Sequence, residues 1–195
     1  MERIIMSSMD TTKLTNHIIT TVYEGLLKLG STGDESYSIY YDLDLLNYLL
    51  DSKFESKDIC FQELQQIYTN TCTSDSNGNE LLVTISMQKG RFRFTVSASS
   101  MDYIRIHGEQ NHFLKDIINL VKSHHFTLED VKDIFARYSD DYVCEETNHP
   151  EFQYVLYFTN EEINHYKYCF TFDGCGGYYH RLLDYDYQKI IEEEM

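Results

Sequence analysis

Residues 152–183, FQYVLYFTNEEINHYKYCFTFDGCGGYYHRLL, limit the possible folds more than any other stretch. Phe152, Tyr154, Leu156 and Phe158 recur with a period of two, as do Tyr166, Tyr168, Phe170 and Phe172, and that period is the signature of a strand. Two aromatic strands are therefore predicted. After Phe172, the run Asp173-Gly174-Cys175-Gly176-Gly177 sets three glycines about one cysteine. It predicts a turn with positive φ at one or more of Gly174, Gly176 and Gly177, before Tyr178–Leu183 extends again.

Upstream, Leu14, Ile18, Val22, Leu26 and Leu29 recur at helical spacing over Asp10–Leu29, with Gly30 where a terminating glycine would stand. Residues 1–9 carry no such repeat and are expected to fray. Ser36–Tyr41 reads as a strand, and Leu43–Leu50 as a short helix capped by Asp42. Ser56–Thr71 reads as a helix with Ile59, Leu64, Ile67 and Tyr68 on its apolar side. Thr73–Asn79 is polar and contains Asn77-Gly78, which predicts a mobile connecting loop. Leu81–Met87 and Arg91–Val96 predict a hairpin through Gln88-Lys89-Gly90, with Phe92, Phe94 and Val96 buried and Arg91, Arg93 and Thr95 wet. Met101–Ile106 reads as a further short strand.

His112–Ser123 predicts a helix, and the next has a legible start: Thr127 as N-cap, Asp130 at N3, and Phe126 and Val131 placed for a hydrophobic staple. Tyr142–Asn148 reads as extended, and Tyr185–Glu194 as a closing helix. Hairpins that occur together and helices that occur in blocks predict an α+β fold, an antiparallel sheet with helices packed mainly on one face. No linker, repeat or low-complexity stretch divides residues 1–195, so a single domain is expected.

Lys and Arg number 16 against 32 Asp and Glu, a formal net charge of −16. A surface of that sign repels phosphate backbones, so direct nucleic-acid binding is not expected. It steers a basic protein partner, although plain solubility is the other use of the same charge. No apolar run approaches the length of a membrane span, and MERIIMSSMDTT lacks the apolar core of a signal peptide. A cytoplasmic location without membrane association is expected. The five cysteines are odd in number and widely spaced, which predicts reduced thiols rather than a disulfide framework.

Cys175 between glycines, with His180 five residues on, is a conceivable nucleophile and base. Asp173 and the general acidity push such a thiol away from the thiolate, and a structural turn cysteine is the competing assignment. Cys169, Cys175 and His180, with Cys144 or His165 as a fourth ligand, lack the close spacing of structural zinc sites; no metal and no cofactor are expected. Arg91 and Arg93, with Arg105 nearby, could bind a carboxylate or phosphate as planar forks, and Arg181 offers a further guanidinium in the glycine segment. Salt bridging to the acidic surplus is the competing use. The 17 tyrosines suit an interface as well as a core. No Walker loop, dinucleotide fingerprint, HExxH or nucleophile elbow occurs.

The segments YSIYYDLDLLNYLL, RFRFTVSASSMDYI, FTLEDVKDIFARYS and YKYCFTFDGCGGYYHRLL resemble a family of uncharacterised proteins from anaerobic Gram-positive bacteria, known only as a domain of unknown function. The resemblance implies one intracellular domain of about this length, and it supplies no activity or catalytic residues. Acidity, abundant Tyr and missing catalytic motifs then predict a non-enzymatic protein-binding module of inhibitor or immunity type. The alternative is a small cysteine-dependent or anion-binding enzyme centred on Asp173–Arg181.

Overall fold

Helix α1, Thr12–Leu29, buries the stripe Leu14, Ile18, Val22 and Leu26. It stops where Gly30 takes a φ of 62° and donates its N–H to the Leu26 carbonyl. The computed structural model describes residues 9–30, 35–70, 73–123, 125–160, 165–173 and 176–193. The chain divides into two compact units, Met1–Gln110 and Asn111–Met195. The fold is α+β, with seven helices and three antiparallel sheets among the described residues.

In the first unit α1 is followed by β1 (Tyr37–Tyr41), α2 (Leu43–Leu49), α3 (Lys57–Asn70), β2 (Thr73–Ser74), β3 (Glu80–Leu81), β4 (Val83–Gln88), β5 (Arg91–Val96) and α4 (Met101–Gly108). The sheet runs β1-β5-β4. Its hairpin is turned by Lys89 and Gly90 at φ of 50° and 76°, the two left-handed positions that a tight two-residue connection demands. Phe92, Phe94 and Val96 alternate into the core, where Tyr41 and Tyr68 meet Phe94 edge-on at 5.0 and 5.8 Å. Asp42 starts α2 by accepting the Leu45 N–H at 2.8 Å.

Three sequence expectations change in this unit. In α3 the buried pair is Cys60 and Leu64, four residues apart, while Ile59 is 57% exposed. Met101–Ile106 is helical, not extended. Ser97 accepts the Ser99 N–H and opens a 3-10 turn at Ala98–Ser100 that feeds α4, which buries Met101 and Ile104 at a spacing of three. Gly108 of α4 lies under Tyr23 of α1, so close that a Cβ there would overlap the base of the tyrosine ring. Lastly, Thr73–Asn79 is a tied turn rather than a plain loop. Asp75 accepts the backbone N–H of Asn77 and Asn79 at 2.8 and 3.0 Å, and Gly78 adopts φ of 81°.

The second unit comprises α5 (His112–Lys122), α6 (Leu128–Tyr138), β6 (Tyr142–Glu146), β7 (Tyr154–Phe158), β8 (Tyr166–Asp173), β9 (Gly176–Leu183) and α7 (Asp184–Glu193). Its sheet is an antiparallel meander, β6-β7-β8-β9. Both aromatic strands of the sequence reading are present, but the first begins at Tyr154, and Phe152, expected on the face of Tyr154, Leu156 and Phe158, packs instead with Val155 and Cys169. Phe113 of α5 and Phe135 of α6 pack on Phe158 and Tyr168, at ring separations of 4.8 Å to each other and 4.9–5.6 Å to the sheet. Val155 and Cys169 point the other way, against Tyr187, Ile190 and Ile191 of α7. Two helices of the unit thus cover one face and the third covers the other.

The capping box expected at the start of α6 forms. Thr127 accepts the Asp130 N–H and donates its own N–H to Asp130 Oδ2 at 2.8 Å. The Thr127 hydroxyl, and next its backbone N–H, hold the Asp130 carboxyl below the usual carboxylate range. No helix among the described residues is long and apolar enough to cross a membrane.

Candidate functional site: an aromatic cleft at the glycine segment

Strands β8 and β9 stay paired out to Phe172 opposite Gly177 and Asp173 opposite Gly176. Gly174 and Cys175 lie outside the described residues, and with them half of the predicted nucleophile and base pair. Gly176 and Gly177 are strand residues; among the described residues positive φ at glycine occurs at Gly30, Gly78 and Gly90. Gly177 therefore does not carry the expected left-handed turn. Gly177 meets a different requirement, because a Cβ there would overlap the outer ring atoms of Phe126. Gly177→Ala should lower stability by about 1–3 kcal/mol through overpacking, read from the urea midpoint. A midpoint equal to the parent's would show that Phe126 moves aside at no expense.

His180 is exposed and stands opposite Cys169 in the strand register. Cys169 is fully buried, and burial pushes its thiol up to about 12, with Lys167 drawing it back slightly. Burial likewise pushes Cys60 to about 11 and raises Cys144. None of these three is a thiolate at neutral pH. Arg181, the next residue after His180, projects from the opposite face of the sheet and lays its guanidinium over the Tyr166 ring at 4.0 Å. The strand pleat thus separates His180 from Arg181. Among the described residues no group of three or more His, Cys, Asp or Glu side chains is arranged to hold a metal ion.

Arg91 and Arg93 do share one face, as alternation required. Arg93 donates from Nε and Nη2 to Ser38 Oγ at 3.1 and 3.0 Å, and Arg91 donates to the Tyr40 carbonyl at 3.1 Å. Both guanidiniums thus tie β5 to β1. Arg105 sits on α4 and pairs with Asp102 at 3.2 Å, and Arg181 belongs to the other unit.

A cleft of about 560 Å³ opens beside the glycine segment. Three stretches remote in sequence line it: His125–Leu128 leading into α6, Gln153 and Tyr154 at the start of β7, and Phe172, Asp173 and Gly176 at the end of the β8–β9 hairpin. Phe126 meets Phe172 edge-on at 5.5 Å, and Tyr154 lies 6.1 Å from Phe172. Gln153 Oε1 accepts the Phe172 N–H at 3.0 Å and so fixes one wall to the next. Glu146 stands opposite Tyr154 in the β6–β7 register, so it shares that face, and it is exposed. Among the described residues the lining carries Asp173, His125 and the Tyr154 phenol, and no Lys or Arg.

Sequence reasoning singled out Phe126 for a local staple and Asp173 for its influence on a thiol. Only the folded chain brings the two together. A family model described as "Domain of unknown function, E. rectale Gene description (DUF3877)" matches residues 11–191. No curated protein and no solved structure matches the chain.

Proposed function

Because the chain belongs to that family over residues 11–191, and the family's description assigns no activity, we propose a function from the chain's own charge and surfaces. The protein is a non-enzymatic, cytoplasmic binding module of inhibitor or immunity type whose partner is a basic protein. One observation carries the reading: residues 111–195 hold 17 Asp and Glu against 7 Lys and Arg. Charge so concentrated in one unit steers a partner of opposite sign and rejects phosphate backbones.

A pull-down from the native host, washed at about 50 mM and about 500 mM salt, tests this, since the higher concentration shortens the screening length severalfold. A basic protein held at low salt and released at high salt is expected. Retention of no basic protein at low salt overturns the reading. The competing enzyme, centred on Asp173–Arg181, requires a reactive thiolate at Cys175. Iodoacetamide labelling of Cys175 at neutral pH far faster than a model thiol would replace the binding module with that enzyme.

A further inference from the structure

We propose that the outer face of the β1-β5-β4 sheet docks an extended acidic segment of a partner protein, one with carboxylates at alternate positions; the assignment goes beyond the basic-partner reading and does not depend on it. Register and pleat put Ser38, Tyr40, Ser86, Gln88, Arg91 and Arg93 on this face, opposite the side on which Phe92, Phe94 and Val96 are buried. The Tyr40 hydroxyl reaches across β5 to donate to Gln88 Oε1 at 2.8 Å, as residues of one face can. Neither Tyr37–Tyr41 nor Leu81–Met101 contains an Asp or Glu, and the second run is the longest in the chain without a carboxylate. Asp42, just past β1, turns its carboxylate to the Leu45 N–H. Among the described residues Arg91 and Arg93 accordingly form no ion pair: their partners are the Ser38 hydroxyl, the Tyr40 carbonyl and the Tyr40 ring. Of the five N–H donors on each guanidinium, Arg93 uses two and Arg91 one, which leaves donors on both for a ligand.

Both guanidiniums lean toward β1, Arg93 to Ser38 and Arg91 to Tyr40, two residues apart, so the forks repeat at about 7 Å. Carboxylates at alternate residues of an extended chain share that spacing and point to one side, and each can accept a fork. Small anions are held in concave sites, whereas an extended segment can lie along an open sheet face. Ser38 and Tyr40 already hold the two forks, so little side-chain freedom is lost on binding.

The test uses the full chain, labelled with ¹⁵N, at low salt, with acetyl-Thr-Glu-Thr-Glu-Thr-amide as probe and acetyl-Thr-Glu-Glu-Thr-Thr-amide, of the same composition, for comparison. When extended, the first peptide places both carboxylates on one side and the second places them on opposite sides. Saturable amide shifts are expected at Ser38–Tyr40, Ser86–Gln88 and Arg91–Thr95, and the first peptide should bind at least fivefold more tightly than the second. The double variant R91Q/R93Q should weaken its binding about tenfold. K115Q/K189Q, which removes the same charge from exposed positions of the other unit, should change it less than twofold. The shift map and the peptide comparison need no variant, so they stand even if loss of the ties between β5 and β1 disturbs folding. Absence of shifts on this face, equal affinity for the two peptides, or equal weakening by both double variants overturns the proposal. If inorganic phosphate binds the face as tightly as the first peptide, it is a site for a free oxyanion, and docking of a protein segment is overturned. The basic-partner reading survives each of these results and falls only with the pull-down.

Discussion

Phe135→Ala is expected to lower the stability of the C-terminal unit by about 3–5 kcal/mol, a large part of the 5–15 kcal/mol that holds a typical domain folded. Phe135 is fully buried and touches four other rings: Phe113 at 4.8 Å, Phe158 at 4.9 Å, and Tyr142 and Tyr168 at 5.6 Å. Removing the ring discards its transfer free energy and leaves a void, since its neighbours are anchored on one helix and three strands and cannot all close in. Chemical denaturation gives the number directly. Tyr138, one turn on, is an internal comparison: it is 37% exposed and donates its hydroxyl to Asp116 at 2.9 Å. Tyr138→Phe should therefore lose no more than about 1 kcal/mol. An alanine at 135 no worse than that would mean that the rings do not form one core.

Gly108→Ala is expected to destabilise the N-terminal unit by about 2–3 kcal/mol, against a helix propensity that alone would favour alanine by about 1 kcal/mol. The reason is where the collision falls. A Cβ at Gly108 meets Cγ, Cδ2 and Cβ of Tyr23, the root of a side chain that is itself 3% exposed and fixed to α1. The ring cannot swing away without α1 and α4 separating. Burial, and next the charge of Glu109, raise the Tyr23 phenol, in keeping with a ring held between the two helices. A double-mutant cycle isolates the contact: in a Tyr23→Ala background, Gly108→Ala should be neutral or stabilising. The same loss in both backgrounds would place the cause elsewhere.

Elements whose causes are local were legible before folding. The Thr127 capping box, the Asp42 cap, the Gly30 terminus and the Lys89-Gly90 hairpin are each decided by side chains within four residues, and each forms as its spacing dictates. Met101–Ile106 was misread because in so short a window Tyr103, Ile104 and Ile106 satisfy both periods imperfectly; the 3-10 turn at Ala98–Ser100 is what commits the segment to helix. Gly177 was read for its backbone freedom, while its actual requirement is set by Phe126, which no spacing rule connects to it. The cleft was hidden for the same reason. Its rings come from three separate stretches, and the division after Gln110 carries no glycine or proline run to announce it.

The buried thiols also make the chain its own pair of stopwatches. Cys60 lies in one unit and Cys169 in the other, both without solvent exposure. Burial both shields these thiols and pushes them up, to about 11 and about 12, so alkylation must wait for a local opening that restores an ordinary thiol. In a chain whose other three cysteines are serine, the two labelling half-times then report separately how often each unit breathes, without a foreign probe in either core.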